Sequence, residues 1–162
     1  MTAIVAHALD PVVPELEKVF TIRAEIDAPL SAGPAPHGER LHIPITGGRV
    51  DGPRLSGQIL PGGSDWPLIG PDGHSRIEAH YTIQADDGTL IRVTNRGLRT
   101  SSPEVRARLR SGEQVLPSEY YMRAAPVFDA PDGPHRWLSE TLFVCSIAPR
   151  GRVIVIDVYR VG

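Results

Sequence analysis

The sequence predicts an all-β fold: a single antiparallel up-and-down β-barrel of about eight to ten strands with one short helix. Short runs of period-two alternation recur along the chain. Turn-forming clusters separate them, and several of these clusters have hairpin character. Gly and Pro number 16 each in 162 residues, too much punctuation for a helical bundle and placed where turns between strands need it. An antiparallel sheet of this size tends to close on itself, because closure removes exposed edges. A two-sheet β-sandwich is the alternative. A barrel of about eight strands has room for one small ligand, so a pocket at one end is expected.

Each element follows from local pattern. Leu16 to Ile26 places Leu16, Lys18, Phe20, Ile22, Ala24 and Ile26 on one face and charged or polar residues on the other, a long strand. Residues 27–39 hold three prolines and two glycines and read as a loop. Leu41 to Ile45 is a short strand, with Pro44 marking an edge or bulge. Thr46 to Val50 reads as a turn, Leu55 to Leu60 as a strand, and Pro61 to Gly73 as a loop. Ile77 to Gln84 alternates Ile77, Ala79, Tyr81 and Ile83 against Glu78, His80, Thr82 and Gln84. Asp87-Gly88 then signals a hairpin into Leu90 to Asn95. Ser102 as N-cap, Pro103 at the first helical position and Gly112 as the stop bound a helix over Pro103 to Ser111. Tyr120 to Ala124, Trp137 to Ile147 and Arg152 to Arg160 complete the strands, with turns at residues 131–134 and 149–151.

The length suits one domain, residues 1–162, with 1–14 as an irregular N-terminal arm. A net charge of −2 supplies no polybasic field for nucleic acid or an anionic membrane surface. No apolar run approaches the roughly 20 residues of a membrane span, and Met1 to Asp10 lacks the features of a secretory leader. The single cysteine, Cys145, excludes an internal disulfide and a multi-cysteine zinc site. A cytoplasmic location is expected. The expected partner is a small-molecule ligand or substrate, with neither nucleic acid nor membrane.

Gly62-Gly63-Ser64-Asp65-Trp66 is the most informative stretch: two glycines, then a carboxylate and the largest aromatic side by side at an expected turn. With Pro44-Ile45-Thr46-Gly47-Gly48, Asp87-Gly88, Asn95-Arg96-Gly97, Tyr120-Tyr121-Met122-Arg123 and Trp137-Leu138, it resembles in order and spacing the bacterial and fungal family UPF0311, whose domain is DUF3237. The resemblance spans about Leu16 to Tyr159 and implies a lipocalin-like antiparallel barrel. It implies no general reaction. Ser64 stands where the family more often has Ala. The chain also departs at Glu78-Ala79-His80-Tyr81, where the resemblance implies an acid and an Arg; His80 in that place weakens an anion-clamping role there.

Read from the residues, Asp65 is either a turn residue bonding nearby backbone N–H groups or a general acid or base whose pKa rises by desolvation beside Trp66. His80 titrates in the cavity if the polar face of its strand points inward, and is merely exposed if the apolar face does. Arg123, next to Tyr120 and Tyr121, is either a structural ion pair or a clamp for a substrate carboxylate or enolate. Arg92 and Asn95 follow the hairpin as candidate substrate contacts. Trp66, Tyr121 and Trp137 are candidate substrate-contacting rings, with core packing the better reading for Trp137. Cys145 reads as a buried small hydrophobe.

No histidine spacing suggests a metal site, and no phosphate, dinucleotide or serine-hydrolase motif appears, so no cofactor is expected. The arginines around the helix (Arg96, Arg99, Arg106, Arg108, Arg110) read as a solvated face or a homo-oligomer contact. Two functions follow. One is a cofactor-independent lyase, isomerase or cyclase using Asp65 and His80 for proton transfer and Arg123, with Tyr121 or Asn95, for the oxyanion. The other is a barrel that binds an apolar or aromatic ligand unchanged. The catalytic version requires Asp65, Trp66 and Arg123 to converge at one opening.

Overall fold

The long alternating runs become staves of a closed barrel. The structure is a computed structural model that describes residues 9–162; the part of the expected N-terminal arm at residues 1–8 lies outside the described residues. The strands are β1 (Leu16–Ile26), β2 (Leu30–Ala35), β3 (Gly38–Asp51), β4 (Gly57–Ile59), β5 (Gly63–Asp65), β6 (Leu68–Ile69), β7 (Ser75–Ala85), β8 (Leu90–Thr100), β9 (Tyr121–Asp129), β10 (Leu142–Arg150) and β11 (Val153–Val161). One helix, α1 (Pro103–Arg110), lies between β8 and β9.

Every pairing is antiparallel and follows chain order. β7, β8, β9, β10 and β11 form a meander, β11 pairs with β1, and β1 closes the ring on β3. Between β3 and β7 stand β4, β5 and β6 in succession, each pairing with both neighbours as one interrupted stave. That makes eight staves, with β2 outside the ring on β3. The up-and-down barrel, not the sandwich, is therefore the architecture.

Local expectations differ from the structure in four places. Residues 27–39 are not a loop throughout: β2 and the start of β3 form a hairpin there. Thr46 to Val50 is no turn but the continuation of β3 past a bulge at Thr46, where Glu25 faces Gly47 and Ile26 faces Ile45. Pro61 to Gly73 contains β5 and β6, so Asp65 is a strand residue paired on both sides. Trp137 lies in a 3-10 turn, Arg136–Ser139, and β10 begins only at Leu142. The helix forms as expected, Ser102 Oγ accepting the Val105 N–H at 3.2 Å.

Strand parity divides the interior in two. At one end Phe20, Phe128, Phe143 and Trp137 pack with ring centroids 5.1–6.5 Å apart, mostly edge to face. Leu55 and Leu138, both about 1% exposed, complete that plug. Towards the end where α1 lies, the inward positions carry smaller or aliphatic groups, and a space remains. Truncating the plug tests this division: Phe20→Ala is expected to lower unfolding stability by about 3–5 kcal/mol in urea denaturation. Val127→Ala, at a position 63% exposed on the outer face, is expected to change it by less than about 0.5 kcal/mol.

Candidate functional site

One row with two polar members, Asp65 and Asn95, crosses the inner wall. Ile43, Asp65, Ala79 and Asn95 stand opposite one another in successive pairings of β3, β5, β7 and β8. Directly opposed residues share a face, and buried Ala79 and Asn95 fix that face as the interior. The Ala79 methyl leaves a gap between the Asp65 carboxyl and the Asn95 amide, whose backbones are two strand spacings apart, roughly 10 Å. Tyr81, two residues along β7 from Ala79, projects from the same face and is buried.

Gly63 lets β5 lie this close. A Cβ there would stand 2.5 Å from the Tyr81 Cβ and 2.7 Å from the His80 carbonyl oxygen. Gly63 thus seats Asp65 in the wall rather than in an open turn, while Gly62 takes the positive φ of the turn before it.

The row faces a cavity of about 740 Å³, open at the α1 end. Its walls are mainly apolar, with Ile43, Ile45, Ile77, Met122, Ile154 and Ile156 prominent. In this setting the polar groups are poorly satisfied. Asp65 Oδ1 accepts the Glu78 N–H at 3.3 Å. Burial raises the Asp65 pKa to about 6, against a smaller lowering by the backbone N–H groups of Glu78 and Trp66. The Tyr81 hydroxyl is buried with no hydrogen-bond partner, and burial raises its pKa above the ordinary phenol range. Asn95, 3% exposed, has its amide Nδ2 3.8 Å from the Cys145 sulfur. Burial pushes the Cys145 thiol up to about 11, so it stays protonated at neutral pH.

Of the residues offered from sequence as catalytic or substrate-binding, Asp65 and Asn95 line this cavity; His80, Arg123, Arg92, Trp66, Tyr121 and Trp137 do not. The apolar face of β7 points inward, so His80 lies on the outer face with Nε2 3.5 Å from Glu78 and Nδ1 3.4 Å from Thr94 Oγ1. On β9, Met122 and Ala124 take the inward positions. Exposed Arg123 donates to the Met122 carbonyl at 3.0 Å, its guanidinium 5.5 Å from the ring of exposed Tyr121. Arg92 is likewise exposed on the outer face of β8. Trp66 is 43% exposed and stacks on His42, centroids 4.1 Å apart. Trp137 belongs to the aromatic plug, capped by Arg54 at 4.0 Å. The expected convergence of Asp65, Trp66 and Arg123 at one opening is therefore corrected: Trp66, adjacent to inward Asp65, lies off the cavity, and Arg123, between inward Met122 and Ala124, faces outward.

Tyr81 was hidden in plain view, as one member of an apolar stripe. Its signal is the phenol on a face that closure turns inward. Among the described residues no group of three or more His, Cys, Asp or Glu is placed to hold a metal ion, and no helix is long and apolar enough to cross a membrane.

Fold and cavity together define a small up-and-down β-barrel with a largely apolar internal chamber. The chain belongs to the UPF0311 family: the profile of "Protein of unknown function (DUF3237)" matches residues 14–161. A UPF0311 protein of Rhodopseudomonas palustris is 41% identical over 147 residues, 91% of this chain and 96% of that one. The crystal structure of the conserved protein of unknown function from that organism superposes with a TM-score of 0.87 at 39% identity, covering 94% of this chain and all of the other. A UPF0311 protein of Clostridium acetobutylicum is 35% identical over 147 residues, 90% of this chain and 93% of that one. A hydroalkoxylation enzyme of the fungus Penicillium herquei is 36% identical over 98 residues, 57% of this chain and 61% of its own. The crystal structure of an enzyme from the same fungus shares the fold at a TM-score of 0.71 and 22% identity, covering 94% and 98%.

The electrostatics of Asp65 give a stability test. The folded chain holds the Asp65 proton more tightly than the unfolded chain, so this residue favours folding most below pH about 4. That contribution is lost as pH rises through about 6. Asp65→Asn keeps an acceptor for the Glu78 N–H and removes the buried charge. It is expected to raise unfolding stability by up to about 3 kcal/mol at pH 8 and by almost nothing at pH 4, read from paired denaturation curves.

Proposed function

We propose that this barrel binds a small, largely apolar molecule in its chamber and moves a proton on it with Asp65, as a cofactor-independent lyase, isomerase or cyclase. One observation carries the reading: a carboxyl whose pKa is raised to about 6 faces an apolar cavity. A group poised near neutral pH exchanges a proton readily in either direction, typically worth 10²–10⁴ in rate. The unpartnered Tyr81 hydroxyl and the Asn95 amide are placed to hold a carbonyl, phenol or enol oxygen of the bound molecule.

The fungal relative's name supports a particular proton transfer. Hydroalkoxylation adds an O–H group across a C=C bond. Protonated Asp65 would give its proton to one alkene carbon, the substrate hydroxyl oxygen would bond to the other, and the hydroxyl proton would return to the carboxylate. Atoms and charge balance with no oxidant or metal. The apolar walls would exclude water, a competing nucleophile.

A second reading is a binding protein that leaves its ligand unchanged. The outward placement of His80 and Arg123 favours it, since two of the three groups expected to do chemistry do not reach the cavity.

2-Allylphenol, which cyclises by internal hydroalkoxylation, separates the two. The catalytic reading expects the dihydrobenzofuran product with one solvent deuterium on carbon in heavy water, and turnover that falls as pH rises above about 6. Asp65→Asn should cut the rate at least about 100-fold and Tyr81→Phe by a smaller factor. Bound allylphenol recovered unaltered after long incubation would favour the binding protein, and undiminished turnover by Asp65→Asn would remove Asp65 from the chemistry.

A further inference from the structure

The arginines around α1 do not act as one solvated face; the fold sorts them. Arg108 is fully engaged outside the cavity, with Glu113 at 2.8 Å and Glu119 at 2.6 Å. Arg96 pairs with Glu78 at 3.2 Å on the outer wall. Arg99, Arg106 and Arg110 instead line the cavity mouth. Among the described residues none of these three has a carboxylate within ion-pair distance.

Arg99 is the informative one. It lies four residues beyond Asn95 on β8, on the same inward parity, so it stands about 13 Å nearer the mouth. Between them Gly97 offers no side chain to obstruct the path. Arg99 is half-buried, its guanidinium 5.6 Å from the Tyr120 ring, and loss of hydration holds its pKa below the ordinary arginine range. A desolvated guanidinium without a carboxylate is costly unless a ligand supplies the anion. Arg106 gives one N–H to the Ser101 carbonyl, which leaves other donors of its fork free.

We infer that the ligand is an amphiphilic carboxylate, its apolar body reaching into the chamber towards Asp65 and its carboxylate held by Arg99 and Arg106 at the mouth. This rests on the reading that the chamber binds a small molecule, and it names the class. The planar fork suits a carboxylate. The mouth also carries Asp27 and Glu39. Asp27 is answered by Arg152 at 3.9 Å, and Glu39 accepts the Ser31 hydroxyl. Arg99, Arg106, Arg110 and Arg152 outnumber Asp27 and Glu39 there, so the mouth favours an anionic headgroup.

Calorimetric titration at pH 8 with 4-(1-naphthyl)butyrate and its neutral analogue 4-(1-naphthyl)butanol tests the inference. The acid is expected to bind at least tenfold more tightly than the alcohol. Arg99→Met should reduce that preference to less than threefold, the loss falling mainly on the acid, with an unchanged far-UV circular dichroism spectrum showing that the variant is folded. Arg108→Met should keep the full preference. Equal binding of acid and alcohol by the unaltered protein overturns the inference and leaves the chamber as a neutral-ligand site. Binding of neither overturns the inference and the ligand-binding reading together. A preference that survives in both Arg99→Met and Arg106→Met overturns the placement of the carboxylate.

Discussion

Closure of the ring between β1 and β3 is the constraint on which everything else rests. It is a backbone contact at close quarters: at Gly48, φ is +135°, and any Cβ would overlap the Arg23 carbonyl. Only glycine tolerates both conditions. The bulge at Thr46 next to it shifts the register by one residue where the β1 pairing ends along β3, while the opposite edge of β3 carries β4, β5 and β6 in succession. Without that junction the sheet would have two open edges, and no interior would exist for Asp65 to face.

Once the ring is closed, side-chain volume decides what the interior contains. Aromatic residues from β1, β9, β10 and the 3-10 turn fill one end, giving the fold its core. Ala24, Ala79 and the isoleucines at the other end leave a chamber. The same economy explains the site. Asp65, Tyr81 and Asn95 are polar groups in a mostly apolar lining: Asp65 is met by backbone N–H groups, Asn95 by the weak partner Cys145, and the Tyr81 hydroxyl by nothing. Their incomplete satisfaction is what makes the chamber read as a place for a ligand and not as a packing defect. The arginines at the mouth extend that logic to the entrance.

Much of the architecture was legible in the sequence because alternation is a local signal. The strands read at Leu16–Ile26, Ile77–Gln84 and Leu90–Asn95, which fall within β1, β7 and β8, the Asp87-Gly88 hairpin and the Ser102-capped helix all follow from neighbours within a few residues. The misreadings fall where glycine and proline serve long-range packing instead of turns. Gly47-Gly48 looks like a turn but is a crossing point between strands. Gly63 looks like part of a loop but seats β5 against Tyr81. Asp65 could be picked out by its company, yet its partners could not. His80, Arg123, Arg92 and Tyr121 are polar residues on strands whose inward face the sequence left open.

What the sequence by itself determined was the alternation of the long strands, the location of most turns, and hence an antiparallel all-β fold, barrel or sandwich, with an acid in a glycine-led segment. Parity is a property of the single strand, so one reading of residues suffices for it. Which of the two faces is inside is a property of the ring, because only the pairing of β7 with β5 and β8 turns Ala79 and Tyr81 inward and His80 out. The tertiary structure alone therefore decided that Tyr81 and Asn95 accompany Asp65, that Arg123 does not, and that one set of arginines guards the mouth while another is bound to glutamates outside. Burial, which sets pKa and the cost of an unpaired charge, is assigned by that closure and by nothing local.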